Sequence, residues 1–519
     1  MSSIEAPAGS GSSAESQLAI VAGIAAAVAG LGVGELVAGL VAAESSPLTV
    51  VGALLIDVAP SWAKDLMIFL FGTADKVALI VLVVVGVLAL AALAGYWQHR
   101  RGVVGAVAAV LLGAAVAGLA VAREDAGAWA WVPSTVAGIV AGAMMSTLVR
   151  RIPRPNAHPS ETPAPSRRRF LTLAGATAAA GILAAAGGAV ARGGRRAVSV
   201  VRDAIRLPRA AMPAPPIPAD ADLRIDGLSP LVTPNGDFYR IDTALVVPSV
   251  APEDWELRVH GLVEHELRVT WEELLSLPLT ESAVTLSCVS NEVGGNLVGN
   301  AVWLGYPIRE LLARAKPLPE ADMVLSRSVD GFTAGTPLSA VTDGRDALLA
   351  VGMNGEPLPP EHGSPVRMVV PGLYGYVSAT KWVIDLEVTR FDRASAYWTV
   401  RGWSERGPVK LQSRIDVPRA GTSLDAGDAV IAGVAWHPHT GISAVQVQID
   451  DGPWVDAELG WDISADTWVQ WRTPWQATAG THRIRCRAVS REGSVQTDEV
   501  TPVAPDGATG RHTIEVRVA

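Results

Sequence analysis

Residues 353–383 read MNGEPLPPEHGSPVRMVVPGLYGYVSATKWV. Short apolar runs stand between clusters of Gly and Pro, the punctuation of strands joined by tight connections. The same rhythm runs from Leu223 onward, in ELRVHGLV (256–263), AVTLSCV (283–289) and KWVIDLEVTRF (381–391), with one helical stretch at about Pro307 to Ala315. That pattern predicts an α+β, mostly β domain over 223–418. After Pro418 the strands become regular: DAVIAGVAWHP (428–438), SAVQVQIDDG (443–452), TWVQWRTPW (467–475), THRIRCRAVS (481–490) and HTIEVRVA (512–519). Turn signals recur every ~8–12 residues there, the spacing of an immunoglobulin-like β-sandwich, expected over 419–519.

The other half of the chain is different in kind. Of 519 residues, 49% are apolar and only 18% charged. The first 196 residues carry 14 Lys/Arg against 10 Asp/Glu, and the remainder 28 against 41. An acidic soluble part argues against nucleic acid as a partner. Two cysteines, Cys288 and Cys486, cannot build a disulfide framework, a Cys-rich zinc site or a Cys-bound iron–sulfur cluster. Segments from about Leu18 to Ala43, Val77 to Trp97, Gly102 to Ala122 and Trp129 to Val149 are long and apolar enough to cross ~30 Å of hydrocarbon. Residues 18–149 are therefore expected to form an α-helical membrane bundle of four spans, or five if 48–71 also crosses. Asp57, Pro60, Lys64 and Asp65 break that segment, which reads as amphipathic or re-entrant. Glu35, in the first span, should face protein or lie near an end.

Arginines set the orientation. Arg100 and Arg101 share one short loop, and Arg150, Arg151, Arg154, Arg167, Arg168 and Arg169 the next (150–169), against Glu161 alone. Both loops are expected to be cytoplasmic, with Arg123, Glu124 and Asp125 outside. Residues 166–191, SRRRFLTLAGATAAAGILAAAGGAVA, resemble a twin-arginine export signal ahead of a last span. Such a signal moves folded domains and implies a bulky cofactor downstream. Residues 1–17 are expected to be disordered, and the Arg/Ala/Pro-rich 192–222 to be a semi-rigid linker.

Candidate chemistry lies in four stretches: NGDFYRID (235–242), TLSCVSNEVGGNLVGNAVWLG (285–305), the 353–383 stretch, and YWTVRGWSERGPVKLQSRIDVP (397–418). Cys288 ends an apolar strand before a Gly/Asn-rich loop. Its thiol is a buried structural group, a nucleophile with His362 as base, or a ligand to a soft metal whose other positions a cofactor fills. His362 and Arg367 are spaced to bond an anionic or heterocyclic ligand, and Lys381 follows a Gly/Tyr loop able to hold a phosphate. The bland alternative is a stiff loop with surface charges, and for Arg240 and Asp242 an ordinary ion pair.

Together these stretches resemble the sulfite oxidase family of molybdopterin enzymes, from about Asp226 to Ala519. The resemblance implies one molybdenum per chain, held by a single molybdopterin and by the Cys288 thiolate. It places His362 and Arg367 on the pterin, Ala379, Thr380 and Lys381 at its phosphate end in a loop one residue longer than the family's, and Phe238, Tyr239, Arg240, Ile241 and Asp242 on the N-terminal binding stretch. Asp330 matches an acidic position before the middle of the domain, and 419–519 the family's dimerisation domain. Cutting near Pro418 is then expected to leave a monomeric catalytic domain. By that resemblance Arg240 matches the substrate-pocket arginine, Arg401 is expected in the same pocket, and Trp403 stands where a Tyr is expected. Sulfite-oxidising members end the loop after the ligand Cys in two arginines, and here Glu292 and Val293 follow. A small S- or N-oxide or another weakly charged molecule therefore suits the pocket better than sulfite, with sulfite oxidation proper as the alternative.

No haem or iron–sulfur segment is expected: the membrane half offers only His99 and His158, both at loop positions. Electrons are expected to pass to or from an external cytochrome, a quinone or a membrane redox protein. The expected place is a bacterial cytoplasmic membrane, multi-pass, with the catalytic domain on the outer face. The rivals from other classes are a redox-inactive binding protein and a transporter with a sensory outer domain.

Overall fold

The computed structural model describes residues 10–60, 75–123, 126–152, 167–195, 205–244 and 246–519, with single positions at 63, 67, 70 and 71. Residues 1–9, Lys64, Asp65, Glu124, Asp125, most of the 150–169 loop with Arg154, His158 and Glu161, and 196–204 of the expected linker lie outside them. The chain divides into two compact units, Met1–Ser199 with Ala244–Val247, and Val200–Thr243 with Pro248–Ala519.

The first unit is helical. Among the described residues, five helices are long and apolar enough to cross a membrane: Ala14–Val41, Lys76–Arg101, Val104–Val121, Val132–Arg150 and Arg167–Ala191. The helix Pro47–Val58, at 12 residues, falls short of the ~20 a span needs. The first helix packs against those starting at Asp75, Val132 and Arg167. Small residues make this close packing possible. A Cβ on Gly95 would collide with the Ala19 carbonyl, and one on Gly23 with that of Ala91. Glu35 lies on this buried helix, 6% exposed, and accepts a bond from the Leu48 NH. Its carboxylate therefore faces protein. Val81, Leu82 and Leu111 stay exposed on the outer helices, as side chains meant for lipid would.

The second unit is built from four sheets. The first has the order Leu267–Thr270, Glu256–Gly261, Val383–Thr389, Met323–Ser328, Thr333–Pro337, with one parallel pair at its second and third strands. The next runs Thr280–Ser287, Val298–Pro307, Leu348–Met353, Glu356–Pro357, and Arg367–Val369 joins it by pairing with Leu348–Met353. The helix Ile308–Ala315 buries Ile308, Leu311, Leu312 and Ala315, the i, i+3, i+4, i+7 stripe of an amphipathic helix.

The last two sheets face each other across one core. One contains Gln412–Val417, Gly427–Trp436, Val469–Ala477 and Glu458–Leu459, and the other Ser423–Leu424, Thr513–Val518, Gly480–Ser490, Ile442–Ile449 and Val455–Asp456. Ile431, Val469 and Trp471 of the first meet Val445, Ile484 and Val516 of the second. Strict alternation of buried and exposed residues along Thr513–Val518 reflects the period of two. Two features depart from the sequence expectation. Gln412–Val417, on the N-terminal side of the expected boundary at 418, is a full member of the sandwich sheet. Residues 205–222 do not hang free: Ala211 NH bonds the Leu279 carbonyl, and Ala221 is wholly buried in the larger core.

Candidate functional site

A cleft of about 110 Å³ opens in the second unit, with Cys288 in its wall beside Tyr239, Asp242, Asp330, Arg367 and Lys381. Cys288 is the first residue after Thr280–Ser287, and its NH is fixed by the Leu297 carbonyl at 2.9 Å. Burial pushes its thiol pKa up, while hydrogen bonds from Ser290 and the charge of Lys381 pull it down. No group of three His, Cys, Asp or Glu side chains able to hold a metal occurs among the described residues.

Arg367 opens the short strand Arg367–Val369, whose pairing with Leu348–Met353 turns its side chain inward. It is 4% exposed and donates only to backbone carbonyls, of His362 at 3.1 Å, Met368 at 3.3 Å and Ala379 at 3.5 Å. No carboxylate pairs with it among the described residues, and burial lowers its pKa to about 10. Its guanidinium also lies 5.0 Å from the Trp303 ring centre. His362 is 2% exposed, and its Nε2 donates to the Asn235 carbonyl at 2.9 Å. A carbonyl can only accept, so the proton sits on Nε2 and Nδ1 is a bare acceptor. That Nδ1 is buried without a partner. Burial and the charge of Arg367 lower the imidazole pKa to about 4, so the ring is neutral at pH 7.

Lys381 Nζ sits 3.1 Å from Asp242 Oδ2 and 2.9 Å from the Glu361 carbonyl, its pKa lowered to about 8, chiefly by burial. Arg240 Nε reaches the same Asp242 oxygen at 3.0 Å. The loop carrying these residues is held by Asn354, which accepts from Val302 NH and donates to the Thr233 carbonyl and Asn235 Oδ1. Phe238 packs edge-on to Trp303 and His362. Asp330, whose pKa burial raises, lines the cleft with Phe332.

The structure therefore brings Cys288, Phe238, Tyr239, Ile241, Asp242, Asp330, Arg367, Ala379 and Lys381 around one cleft, with His362 directly behind Phe238. Four other candidates lie outside the lining. Thr380 is buried, and its hydroxyl pairs with Ser326 at 2.7 Å. Arg240 is tied to Asp242, and Arg401 folds over the Tyr397 ring at 3.6 Å and donates to the Tyr397 carbonyl. Trp403 packs tilted against Tyr376 and edge-on to Trp398, which do line the cleft. Sequence reasoning did not single out the wall of Trp398, Tyr376, Trp382 and Phe332, or Asn235 and Asn354, because aromatic and Asn side chains carry no diagnostic spacing.

Comparison with known proteins adds a family. The oxidoreductase molybdopterin binding domain matches residues 244–398. Mitochondrial sulfite oxidase of Rattus norvegicus is 29% identical over 321 residues, 52% of this chain and 58% of that protein, so the chain spans little more than half of that relative. The uncharacterized oxidoreductase YuiH of Bacillus subtilis (strain 168) is 35% identical over 153 residues, 30% of this chain and 74% of that protein. The solved sulfane dehydrogenase SoxCD of Paracoccus pantotrophus is similar at 25% identity and a TM-score of 0.49, covering 55% of this chain and 81% of that one.

Proposed function

Because this chain belongs to the sulfite oxidase family of molybdopterin-binding oxidoreductases, we propose that its second unit binds one molybdopterin-held molybdenum and carries out a two-electron oxygen-atom transfer. The observation that carries this reading is buried polarity at and behind the cleft wall. Among the described residues no carboxylate pairs with the buried Arg367 guanidinium, which lines the cleft with the Cys288 thiol, and behind Phe238 the buried His362 Nδ1 has no partner. Each would be costly alone, and an anionic heterocycle with a soft metal satisfies all three. The residues fit that group: Cys288 as the single soft ligand, His362 Nδ1 as acceptor for a ring N–H, and Arg367 and Lys381 as cationic anchors. When bound, the group supplies a metal that changes oxidation state by two units as one oxygen atom moves. Cys288 would hold the metal as its thiolate, the cation's charge offsetting the cost of burying that anion.

The substrate follows from charge. Lys381 and Arg240 share the carboxylate of Asp242, Arg367 belongs to the cofactor wall, and Arg401 is engaged outside the cleft. The rest of the wall holds the Asp330 carboxyl, which opposes an anion, and the rings of Phe332, Tyr376, Trp382 and Trp398. Such a wall excludes water and favours a weakly charged S- or N-oxide over a dianion. Reduction of a sulfoxide takes two electrons and two protons and releases the sulfide and water. The electrons come from an external cytochrome, quinone or membrane redox protein. The apolar helices anchor the enzyme in a bacterial cytoplasmic membrane, with the second unit on the outer face. The last ~100 residues act as an immunoglobulin-like dimerisation domain.

The test is metal content and turnover together. Detergent-purified wild type from a cofactor-competent host should hold about one molybdenum per chain, and Cys288→Ser should lose turnover while keeping its fold. With viologen donors the enzyme should reduce sulfoxides or N-oxides faster than it oxidises sulfite with ferricyanide. Wild type without molybdenum would leave the binding-protein reading in its place.

A further inference from the structure

The loop 289–297 that follows Cys288 is held from outside by the C-terminal sandwich. Arg414, on the first sandwich strand, donates from Nη1 to the Gly295 carbonyl at 2.7 Å. Its Nη2 donates to Ser229 Oγ at 2.7 Å and its Nε to Asp416 Oδ1 at 2.6 Å. This buried ion pair aims one donor into the loop. His512, at the start of the last strand, accepts the Ile415 NH on Nδ1 at 3.0 Å, and its ring covers Gly294. Gly294 has φ +79°, and a Cβ there would collide with that ring, so only glycine admits the approach. Inside the loop, Asn291 Oδ1 accepts the Leu297 NH at 2.8 Å, and the Leu297 carbonyl accepts the Cys288 NH. The preceding strand is gripped as well: Trp468 NH donates to Thr285 Oγ1 at 2.8 Å, and Thr285 NH to the Asp466 carbonyl at 2.9 Å.

We propose that Arg414 and His512 are positioning residues for Cys288: the sandwich fixes the 289–297 loop and so sets where the thiol points into the cleft. The inference rests on Cys288 being the working thiol of the proposed function. It gives the sandwich a part in the site of its own chain, separate from any role between chains. A rigid supporting shell matters because a ligand displaced by ~1 Å loses much of its competence.

The experiment uses the full chain in detergent, made without cofactor, and follows alkylation of Cys288 and Cys486 by iodoacetamide at fixed pH with mass-spectrometric readout. Cys486 is wholly buried in the sandwich core, with its NH on the His512 carbonyl, and reports loosening of the sandwich itself around both variants. Arg414→Gln removes the loop donor. His512→Asn keeps an acceptor for the Ile415 NH but removes the ring, and decides the matter if the first variant does not fold. Each variant should speed Cys288 alkylation about tenfold with Cys486 unchanged, the mark of local opening. Gly294→Ala, from the loop side, should do the same, and adding His512→Asn to it should not add to the effect in full, because the two act on one contact. The same variants made with cofactor should retain less molybdenum per chain than wild type. Equal acceleration of both cysteines, or no acceleration of Cys288 in any variant, overturns the proposal. If wild type takes up no molybdenum while the difference between the cysteines persists, the proposed function fails and the positioning role stands.

Discussion

Arg367 is a full charge taken out of water, and no carboxylate among the described residues receives it. Three carbonyls and the Trp303 ring return part of that loss, and an anionic ligand would return the rest. Arg367→Met should therefore leave the thermal midpoint of the cofactor-free protein level or raised, while cofactor affinity falls about 100-fold, the worth of ~3 kcal/mol of charge-assisted bonding. Equilibrium dialysis against released cofactor, beside calorimetry, measures both. His362 makes a second prediction. Its native pKa of about 4 lies below the ~6.5 of an unfolded chain, so the unfolded state binds the proton first. Stability is full above pH 6.5 and is lost as pH falls toward 4, by about 3 kcal/mol at most. Denaturant midpoints at pH 7.5 and 4.5 should show that loss in wild type and a smaller one in His362→Asn. Cys288, His362, Arg367 and Lys381 could be singled out because each is a chemically distinctive side chain near Gly/Pro punctuation, and the structure places three of them at one cleft with His362 behind Phe238. Arg240 and Arg401 lie outside its lining: Arg240 shares Asp242 with Lys381, the ion pair the sequence already offered, and Arg401 lies over its neighbour Tyr397.

At the level of elements, periodicity was readable wherever one face is buried. Ile308–Ala315 and the alternating strands after 427 were visible for that reason. The strand Gln412–Val417 was hidden because four of its six positions are buried, so no alternation marks it. The docked 205–222 segment was hidden by a proline-rich composition that fits a free linker and a surface strap equally well. The strand alters the expectation for truncation. Gln412–Val417 pairs with Gly427–Trp436, and Arg414 on it holds the Cys288 loop. A chain ended at Pro418 keeps that strand with no partner and exposes the apolar residues it covered. It should aggregate or elute as broad oligomers in size-exclusion chromatography with light scattering. A sharp monomer with native near-ultraviolet dichroism would show that the strand is dispensable.

For the molecule as a whole, the proposed placement of the second unit on the outer face raises the question of how a folded domain would get there. Arg167, Arg168 and Arg169 stand exposed in the first turn of Arg167–Arg195, with Phe170 buried beneath them. Cations at a helix N-terminus oppose its macrodipole, at roughly 0.3–1 kcal/mol each, so helix stability does not explain them. Two explanations remain, and they differ in what they require. The positive-inside rule needs charge, which Lys supplies as well as Arg. An export receptor that reads paired guanidinium forks needs geometry, which Lys does not supply. Arg167→Lys with Arg168→Lys keeps the charge bias and removes the forks. On the export reading, the second unit of that variant should resist external protease in intact spheroplasts, retain its molybdenum and fail to react with impermeant substrates, while wild type is digested. Digestion of both proteins alike would mean that charge alone orients the last helix, and the folded-export route would have to be given up.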